Sequence, residues 1–149
     1  MQLTWKYHSF NEITTSELYA IIRLRNEVFV VEQNAVYQDA DNKDLPAYHL
    51  SGWDDNYLVA YCRILPPGLA FEEASIGRVV TASKYRGTGM GRHLVQLAIA
   101  HTLDQYQCKN ITIGAQVYLE NFYRSFGFLQ ISEPYMEDGI LHIEMQLNT

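Results

Sequence analysis

The sequence predicts an α+β domain, in an α/β three-layer arrangement, whose mixed sheet is mostly antiparallel. The length of 149 residues fits one domain that spans residues 1–149. Strand-like runs alternate with helical patterns along the chain. Several of the strands are separated by tight turns, which indicates antiparallel pairing. We therefore expect helices and a sheet to share one core.

The first elements are a strand, a helix and a hairpin. Residues 3–7 are a candidate strand, and Thr14 and Glu17 have the spacing of a capping box at the start of a helix. The apolar stripe of this helix contains Leu18, Ile21, Ile22, Val28 and Phe29. Residues 48–53 and 57–65 are two strands joined by a polar turn, as in a β-hairpin.

The middle of the chain repeats the strand-to-helix order. Residues 74–80 form a strand that leads into a glycine-rich turn at residues 86–91. That turn opens a helix at residues 90–106, and residues 111–116 form the next strand.

The last elements are a helix and a pair of strands. The spacing of Leu119, Phe122, Tyr123 and Phe126 predicts a helix. Gly127 ends this helix, as a C-terminal glycine often does. Residues 128–131 and 140–147 then form an antiparallel pair around a turn at residues 137–139.

Composition limits the classes of function. The net charge of −6 argues against a nucleic-acid partner, because phosphate backbones attract clustered basic residues. No apolar run approaches the length of a membrane span, and the first residues lack the pattern of a signal peptide. Two cysteines make no disulfide framework, so we expect a reduced, cytoplasmic protein. The acidic surface either attracts protonated amines or only keeps the protein in solution.

The glycine-rich turn predicts an anion cradle. Glycines let the backbone approach a ligand, and the first turn of a helix leaves N–H donors unpaired. Together they suit a phosphate or a diphosphate. A P-loop would need Lys and Ser or Thr after Gly91, where Arg92 and His93 stand. The glycine spacing of a dinucleotide-binding fold also fails at Arg92 or Leu94.

Two blocks of sequence resemble the GNAT-type N-acetyltransferases. Arg86, Gly89 and Gly91 match an Arg-x-x-Gly-x-Gly loop, and Tyr123, Gly127 and Phe128 match a later Tyr-x-x-x-Gly-Phe helix end. The order and separation of the two blocks also agree. Within that family, residues 24–33 and 138–143 resemble the ElaA branch.

The resemblance implies a GNAT fold in which acetyl-CoA lies between two central parallel strands that splay apart. Backbone groups of residues 79–81 would bind the pantetheine arm, and amides of residues 86–92 the diphosphate. The implied coenzyme-binding residues are Val79, Val80, Thr81, Arg86, Gly87, Thr88, Gly89, Met90, Gly91, Arg92, Asn121 and Tyr123. Tyr123 would be the general acid for the leaving thiolate. The acceptor would be the amine of a small molecule or a peptide. The expected partners are this substrate and, as one alternative, a second copy of the chain in a homodimer.

Candidates for the acceptor side come from periodicity. Arg25 and Glu32 lie on the inward stripe of the first helix, where each either lines a pocket or forms a structural ion pair. On the last strand, His142 and Glu144 point away from the apolar positions, and His142 is a candidate base. His49 and Arg78 are further candidates for substrate binding, with a structural role as the alternative for His49.

Other chemistries lack their motifs. The acidic residues 39–44 do not fit a calcium loop, because Asp44 stands where an EF-hand has glycine. We expect that stretch to be solvated, or to form a rim that attracts cations. No spacing of His and Cys suggests a metal site. The resulting hypothesis is an acetyl-CoA-dependent N-acetyltransferase, and the alternative is a non-catalytic acyl-CoA-binding or interaction domain.

Overall fold

The computed structural model describes residues 2–149. Its helices are α1 (Thr15–Arg25), α2 (Met90–Tyr106) and α3 (Glu120–Arg124), and α1 continues as a π-helical segment, Asn26–Glu32. The strands are β1 (Thr4–Ser9), β2 (Tyr48–Asp54), β3 (Tyr57–Leu65), β4 (Ser75–Thr81), β5 (Asn110–Gln116), β6 (Leu129–Gln130), β7 (Tyr135–Glu137) and β8 (Ile140–Asn148).

The strands form two sheets that meet at one point. The first sheet has the order β1-β2-β3-β4, and the second has the order β5-β8-β6, with β7 also paired to β8. A single parallel bridge, Ala74 to Ile111, joins them, and Thr112 N donates to Ala74 O at 3.0 Å. Beyond this bridge β4 and β5 diverge. The mixed, mostly antiparallel sheet with splayed central parallel strands is therefore confirmed.

The start of α1 follows the predicted capping box. Glu17 N donates to Thr14 Oγ1, and Thr14 N donates to Glu17 Oε1 at 2.9 Å. The predicted apolar stripe is wrong at Ile22, whose side chain is exposed. The buried face is centred on Ile21, Leu24, Arg25 and Val28, the i, i+3, i+4 and i+7 positions, and Ile22 lies to one side of it.

A bulge bends β4 beside the gap. Gly77 is paired with Arg63 and Val80 with Tyr61, so two residues of β4 lie opposite one residue of β3. One of the two, Arg78, has a φ of +50°, in the left-handed region. A bulge of this kind bends a strand and re-aims its side chains. The bulge therefore sets the direction in which the C-terminal half of β4 diverges from β5.

The C-terminal strands differ from the single predicted pair. The missed strand β7 forms the tight hairpin with β8 through Asp138 and Gly139, both at positive φ. Strand β6 pairs farther along β8, with Leu129 opposite Gln146. The predicted antiparallel pairing of residues 128–131 with the last strand is therefore confirmed, but the turn at residues 137–139 joins β7, and not β6, to β8.

Candidate active site

A cleft of about 1160 Å³ opens where β4 and β5 separate. Its walls are the π-helical segment Asn26–Glu32, strands β4, β5 and β8, and the start of α3. One end reaches the loop that precedes α2, and the other reaches the β7–β8 hairpin. A ligand that lies along β4 can therefore contact the loop before α2 at one end and the β7–β8 hairpin at the other.

The loop before α2 presents backbone donors. Gly87 and Gly89 have φ values of +77° and +85°, which side-chain-bearing residues rarely adopt. No side chain caps the start of α2, a helix of 17 residues. A Cβ added at either glycine would meet nothing within 4 Å, so the space over the loop is open. These features fit a diphosphate held by main-chain N–H groups.

The edge of β4 that does not pair with β3 is also free to bind a ligand. Strand β3 pairs with one edge of Ser75–Thr81, and on the other side the only β pairing in residues 2–149 is the bridge at Ala74. Val79, Val80 and Thr81 line the cleft along that edge. Unpaired backbone groups in a cleft suit a ligand that itself contains amides.

Tyr123 brings a buried hydroxyl to the cleft. Its side chain is 8% exposed and packs edge-on against Phe122 and Phe128. No hydrogen bond joins its hydroxyl to any of residues 2–149, although the residue lines the cleft. Burial raises the pKa of Tyr123 well above its ordinary value, so the phenol carries its proton at neutral pH.

His142 has one ring nitrogen fixed and the other free. Its Nδ1 lies 2.7 Å from the carbonyl oxygen of Ile140, which can only accept, so Nδ1 carries the hydrogen. The neutral ring then has its lone pair on Nε2. Glu137 Oε2 lies 3.6 Å from Nε2. Both His142 and Glu144 line the cleft, as their shared face of β8 predicted.

Two contacts cross the mouth of the cleft. Arg86 donates to both carboxylate oxygens of Glu32, at 2.5 and 3.1 Å. Hydrogen bonding to Glu32 raises the pKa of Arg86, which stays charged. The second contact is a hydrogen bond of 3.3 Å from Gln116 Nε2 to Gln33 Oε1. Glu32 and Arg86 therefore lie together at the end of the cleft next to the glycine-rich loop, and Arg86 already has an anionic partner.

Other predicted coenzyme residues lie around the loop rather than along the cleft. Arg92 donates to Ser125 Oγ at 2.8 Å and thereby joins α2 to the end of α3. The hydroxyl of Thr88 donates to the carbonyl of Tyr85. Met90 packs against the core, and Asn121 is exposed on α3.

The acidic residues 39–44 are not a solvated loop, so that prediction is wrong. Three arginines on α1, β3 and β4 pair with their carboxylates. The pairs are Arg25–Asp39, Arg25–Asp44, Arg63–Asp41, Arg63–Asp44, Arg78–Asp39 and Arg78–Asp41. Arg25 is only 1% exposed, which puts it beneath this loop and outside the lining of the cleft. Of the three arginines, Arg63 and Arg78 reach the lining.

His49 has the structural role that was the alternative for it. Its Nε2 donates to Asp44 O at 2.9 Å, and its Nδ1 accepts from the Tyr61 hydroxyl at 2.7 Å. Burial lowers the pKa of His49, which keeps the ring neutral. The ring thus has both nitrogens satisfied within the core, away from the cleft lining.

The structure adds residues that sequence reasoning missed. Phe71, Gly114 and Tyr135 line the cleft on the side of β5 and β8. None of them belongs to a motif or to a helical stripe, so no local signal distinguished them. Over the part of the chain that the structure describes, no cluster of three or more His, Cys, Asp or Glu suits a metal ion. No helix there is both long and apolar enough to cross a bilayer.

Comparisons with known proteins agree with this geometry. The family model described as an acetyltransferase (GNAT) domain matches residues 16–149. Protein ElaA of Escherichia coli is 42% identical over 145 residues, which cover 96% of this chain and 95% of that protein. The crystal structure of that ElaA superposes with a TM-score of 0.92 over 99% of this chain and 100% of that chain. An acyl-CoA N-acyltransferase from Pseudomonas aeruginosa superposes with a TM-score of 0.93 at 38% identity, over 98% of this chain and 99% of that chain.

Proposed function

Because the chain belongs to the GNAT acetyltransferase family, whose members are acyl-CoA-dependent acyltransferases, we propose that it transfers an acetyl group from acetyl-CoA to a primary amine. The acceptor is a small molecule or a peptide. The observation that carries the proposal is Tyr123, a buried phenol without a hydrogen-bond partner among residues 2–149, in a cleft that begins at the glycine loop. A cytoplasmic location would supply acetyl-CoA and keep both free cysteines reduced.

Main-chain groups hold the coenzyme in this proposal. The amides of residues 86–92 bind the diphosphate, and the free edge of β4 at residues 79–81 binds the amides of the pantetheine arm. Arg86 gives up its hydrogen bonds to Glu32 and binds the diphosphate instead. Its guanidinium then donates to phosphate oxygens in place of the two carboxylate oxygens. Bound acetyl-CoA supplies an activated acyl group whose thioester carbonyl is open to attack.

His142 takes the proton from the acceptor ammonium. Its lone pair lies on Nε2, because Nδ1–H donates to Ile140 O. Glu137 stabilises the imidazolium that forms. Arg78 and Glu144 line the acceptor side of the cleft. The role of these residues is to deliver a neutral amine and to hold it in position, and positioning alone accounts for much of the acceleration in bimolecular reactions.

Tyr123 protonates the departing sulfur. A new C–N bond forms as the C–S bond breaks, and the phenol proton passes to the thiolate of coenzyme A. The acceptor loses two protons in all and the sulfur gains one, so one proton is released to solvent. Attack is direct because Cys62 is fully buried, with a pKa that burial raises, and Cys108 is absent from the cleft lining.

The test is release of thiol from acetyl-CoA in the presence of a panel of amines. We expect Tyr123→Phe to lower kcat by about 10²-fold or more with little change in the affinity for acetyl-CoA. Tyr106→Phe is the matched control, since Tyr106 also has a buried hydroxyl without a partner but lies outside the cleft. Equal activity of Tyr123→Phe and the natural protein would remove the phenol from the mechanism.

Two other outcomes identify the alternatives. Calorimetric binding of acetyl-CoA without turnover of any amine indicates a non-catalytic acyl-CoA-binding module. Absence of binding indicates an interaction domain whose glycine loop has no ligand. A panel of longer acyl-CoA thioesters, run in the same assay, determines whether acetyl is the preferred group.

A further inference from the structure

Gly114 occupies a position where a strand does not require glycine. It lies in the middle of β5, and its φ is not positive. Glycine in a strand interior weakens the strand and marks a site where something approaches the backbone closely. A Cβ at Gly114 would lie 3.0 Å from the hydroxyl of Tyr135 and 3.8 Å from the ring tip of Phe71. The missing side chain therefore lets the Tyr135 hydroxyl approach β5 closely at this point of the cleft.

Glu144 adds a carboxylate beside Gly114. It lies directly opposite Gly114 in the β5–β8 ladder, and opposed residues project from the same face of a sheet. Tyr135 stacks on His142 with 5.9 Å between ring centroids, which brings the phenol beside the candidate base. Burial first, and then the charges of Glu137 and Glu144, raise the pKa of Tyr135, which agrees with both carboxylates lying near its hydroxyl.

The charges at this end of the cleft do not balance. Arg63 and Arg78 are each paired with two aspartates, so they offer little positive charge to a ligand. Glu144 has no ion-pair partner in residues 2–149. Lys43 also borders the cleft, but it belongs to the loop that pairs with the arginines, not to β5, β7 or β8. The side of the cleft formed by these strands is therefore anionic.

We propose that Phe71, Gly114, Tyr135 and Glu144 form a pocket for a second positive charge on the acceptor, separate from the amine that is acetylated. The proposal rests on the acetyltransfer proposed above. A carboxylate beside aromatic rings is the chemistry that binds an ammonium group. The phenol oxygen of Tyr135 accepts a further hydrogen bond from it. The absence of a side chain at Gly114 lets the Tyr135 hydroxyl lie close to β5, where it faces the cleft.

The spacing on β8 sets the length of the acceptor. His142 and Glu144 are two residues apart on one face, which is about 6.8 Å along a strand. The reacting nitrogen lies at His142 Nε2 and the second charge lies at Glu144. A linear diamine with a chain of four or five carbons spans this separation, so the acceptor class is an aliphatic diamine.

The experiment compares three acceptors of similar length: 1,4-diaminobutane, 1-aminobutane and 4-aminobutanoate. With acetyl-CoA at saturation, we expect kcat/KM for the diamine to exceed that for the monoamine by about tenfold or more. The amino acid, whose second group is anionic, should be the poorest substrate. Equal kcat/KM for all three overturns the pocket while the acetyltransferase activity stands.

Variants assign the effect to this pocket. Glu144→Gln should reduce kcat/KM for the diamine about tenfold more than that for the monoamine, because only the diamine carries a second charge. Gly114→Ala should also lower kcat/KM more for the diamine, because the added methyl would displace the Tyr135 hydroxyl that borders the pocket. Glu133→Gln, which removes the same charge from an exposed position outside the lining, is the control and should have no effect. An equal loss for both amines in Glu144→Gln contradicts the proposal.

A binding measurement tests the diamine pocket separately from acetyl transfer. If no amine is acetylated, the proposed function fails, but calorimetry with 1,4-diaminobutane and the natural protein still tests the pocket. Binding that Glu144→Gln weakens and Glu133→Gln does not supports the pocket. Absence of diamine binding, or binding that Glu144→Gln leaves unchanged, overturns it.

Discussion

Replacing Arg25 by methionine should destabilise the protein strongly. Arg25 is 1% exposed and donates at 2.8 Å to both Asp39 and Asp44. Methionine fills similar space but leaves each aspartate with one arginine fewer. Removal of one partner from a buried ion pair costs about 3–5 kcal/mol, because the remaining charge stays out of water without full compensation. The whole penalty should appear in the free energy of unfolding.

The assay is thermal and urea unfolding followed by circular dichroism. In a chain of this length, 1 kcal/mol shifts Tm by about 2–4 °C, so we expect Arg25→Met to lower Tm by roughly 6–20 °C. Arg23→Met is the control, since Arg23 is exposed on the same helix, and it should change stability by less than about 0.5 kcal/mol. If the two variants unfold at the same urea concentration, the buried network does not stabilise the loop.

Acid should narrow the difference between Arg25→Met and the natural protein. Burial alone would raise the pKa of Asp44, but the hydrogen bond and charge of Arg25, with those of Arg63, outweigh it and lower the pKa below 3.8. A lowered pKa contributes stability that is present above that ordinary value and is lost as the pH falls through the folded value. The natural protein therefore loses more below about pH 4 than Arg25→Met does. Parallel pH profiles of the two proteins would contradict this reasoning.

Three further predictions concern the cleft. His142→Asn should lower kcat by about 10²-fold or more while calorimetry finds acetyl-CoA affinity unchanged, and retention of full activity would exclude His142 as the base. Gly89→Val should weaken acetyl-CoA binding, because φ at Gly89 is +85° and a left-handed backbone costs other residues about 1–2 kcal/mol; equal affinity would show that the loop tolerates a rearrangement. Glu32→Gln should tighten acetyl-CoA binding by releasing Arg86, with a change in unfolding free energy of less than about 1 kcal/mol, and weaker binding would contradict a competing role for Glu32.

Short-range patterns predicted the parts of the site that one segment builds. The capping box at Thr14 and Glu17 and the glycine loop before α2 each depend on residues within a few positions of one another. Their local geometry follows from hydrogen bonds and φ preferences that the residue types themselves impose. For the same reason, the alternation on β8 placed His142 and Glu144 on one face, and that face borders the cleft.

The acceptor side resisted prediction because its partners come from separate segments. The sequence predicted that the acidic residues 39–44 are solvated. In the folded chain, arginines from α1, β3 and β4 pair with them instead. A sequence pattern does not show that Asp41 lies beside Arg63, since the contact depends on how the loop crosses the sheet. The same holds for β7, whose three residues are too few to give a periodicity.

Periodicity and glycine placement within the chain predicted most of the elements, the glycine-rich loop before α2 and the helix that carries Tyr123, because neighbouring residues suffice to specify them. Only the tertiary structure decided which nitrogen of His142 is free, what neutralises Asp39, and why Gly114 lacks a side chain. Each of those answers depends on atoms that lie close in space yet far apart along the chain, where burial and pairing, rather than local propensity, determine the energy.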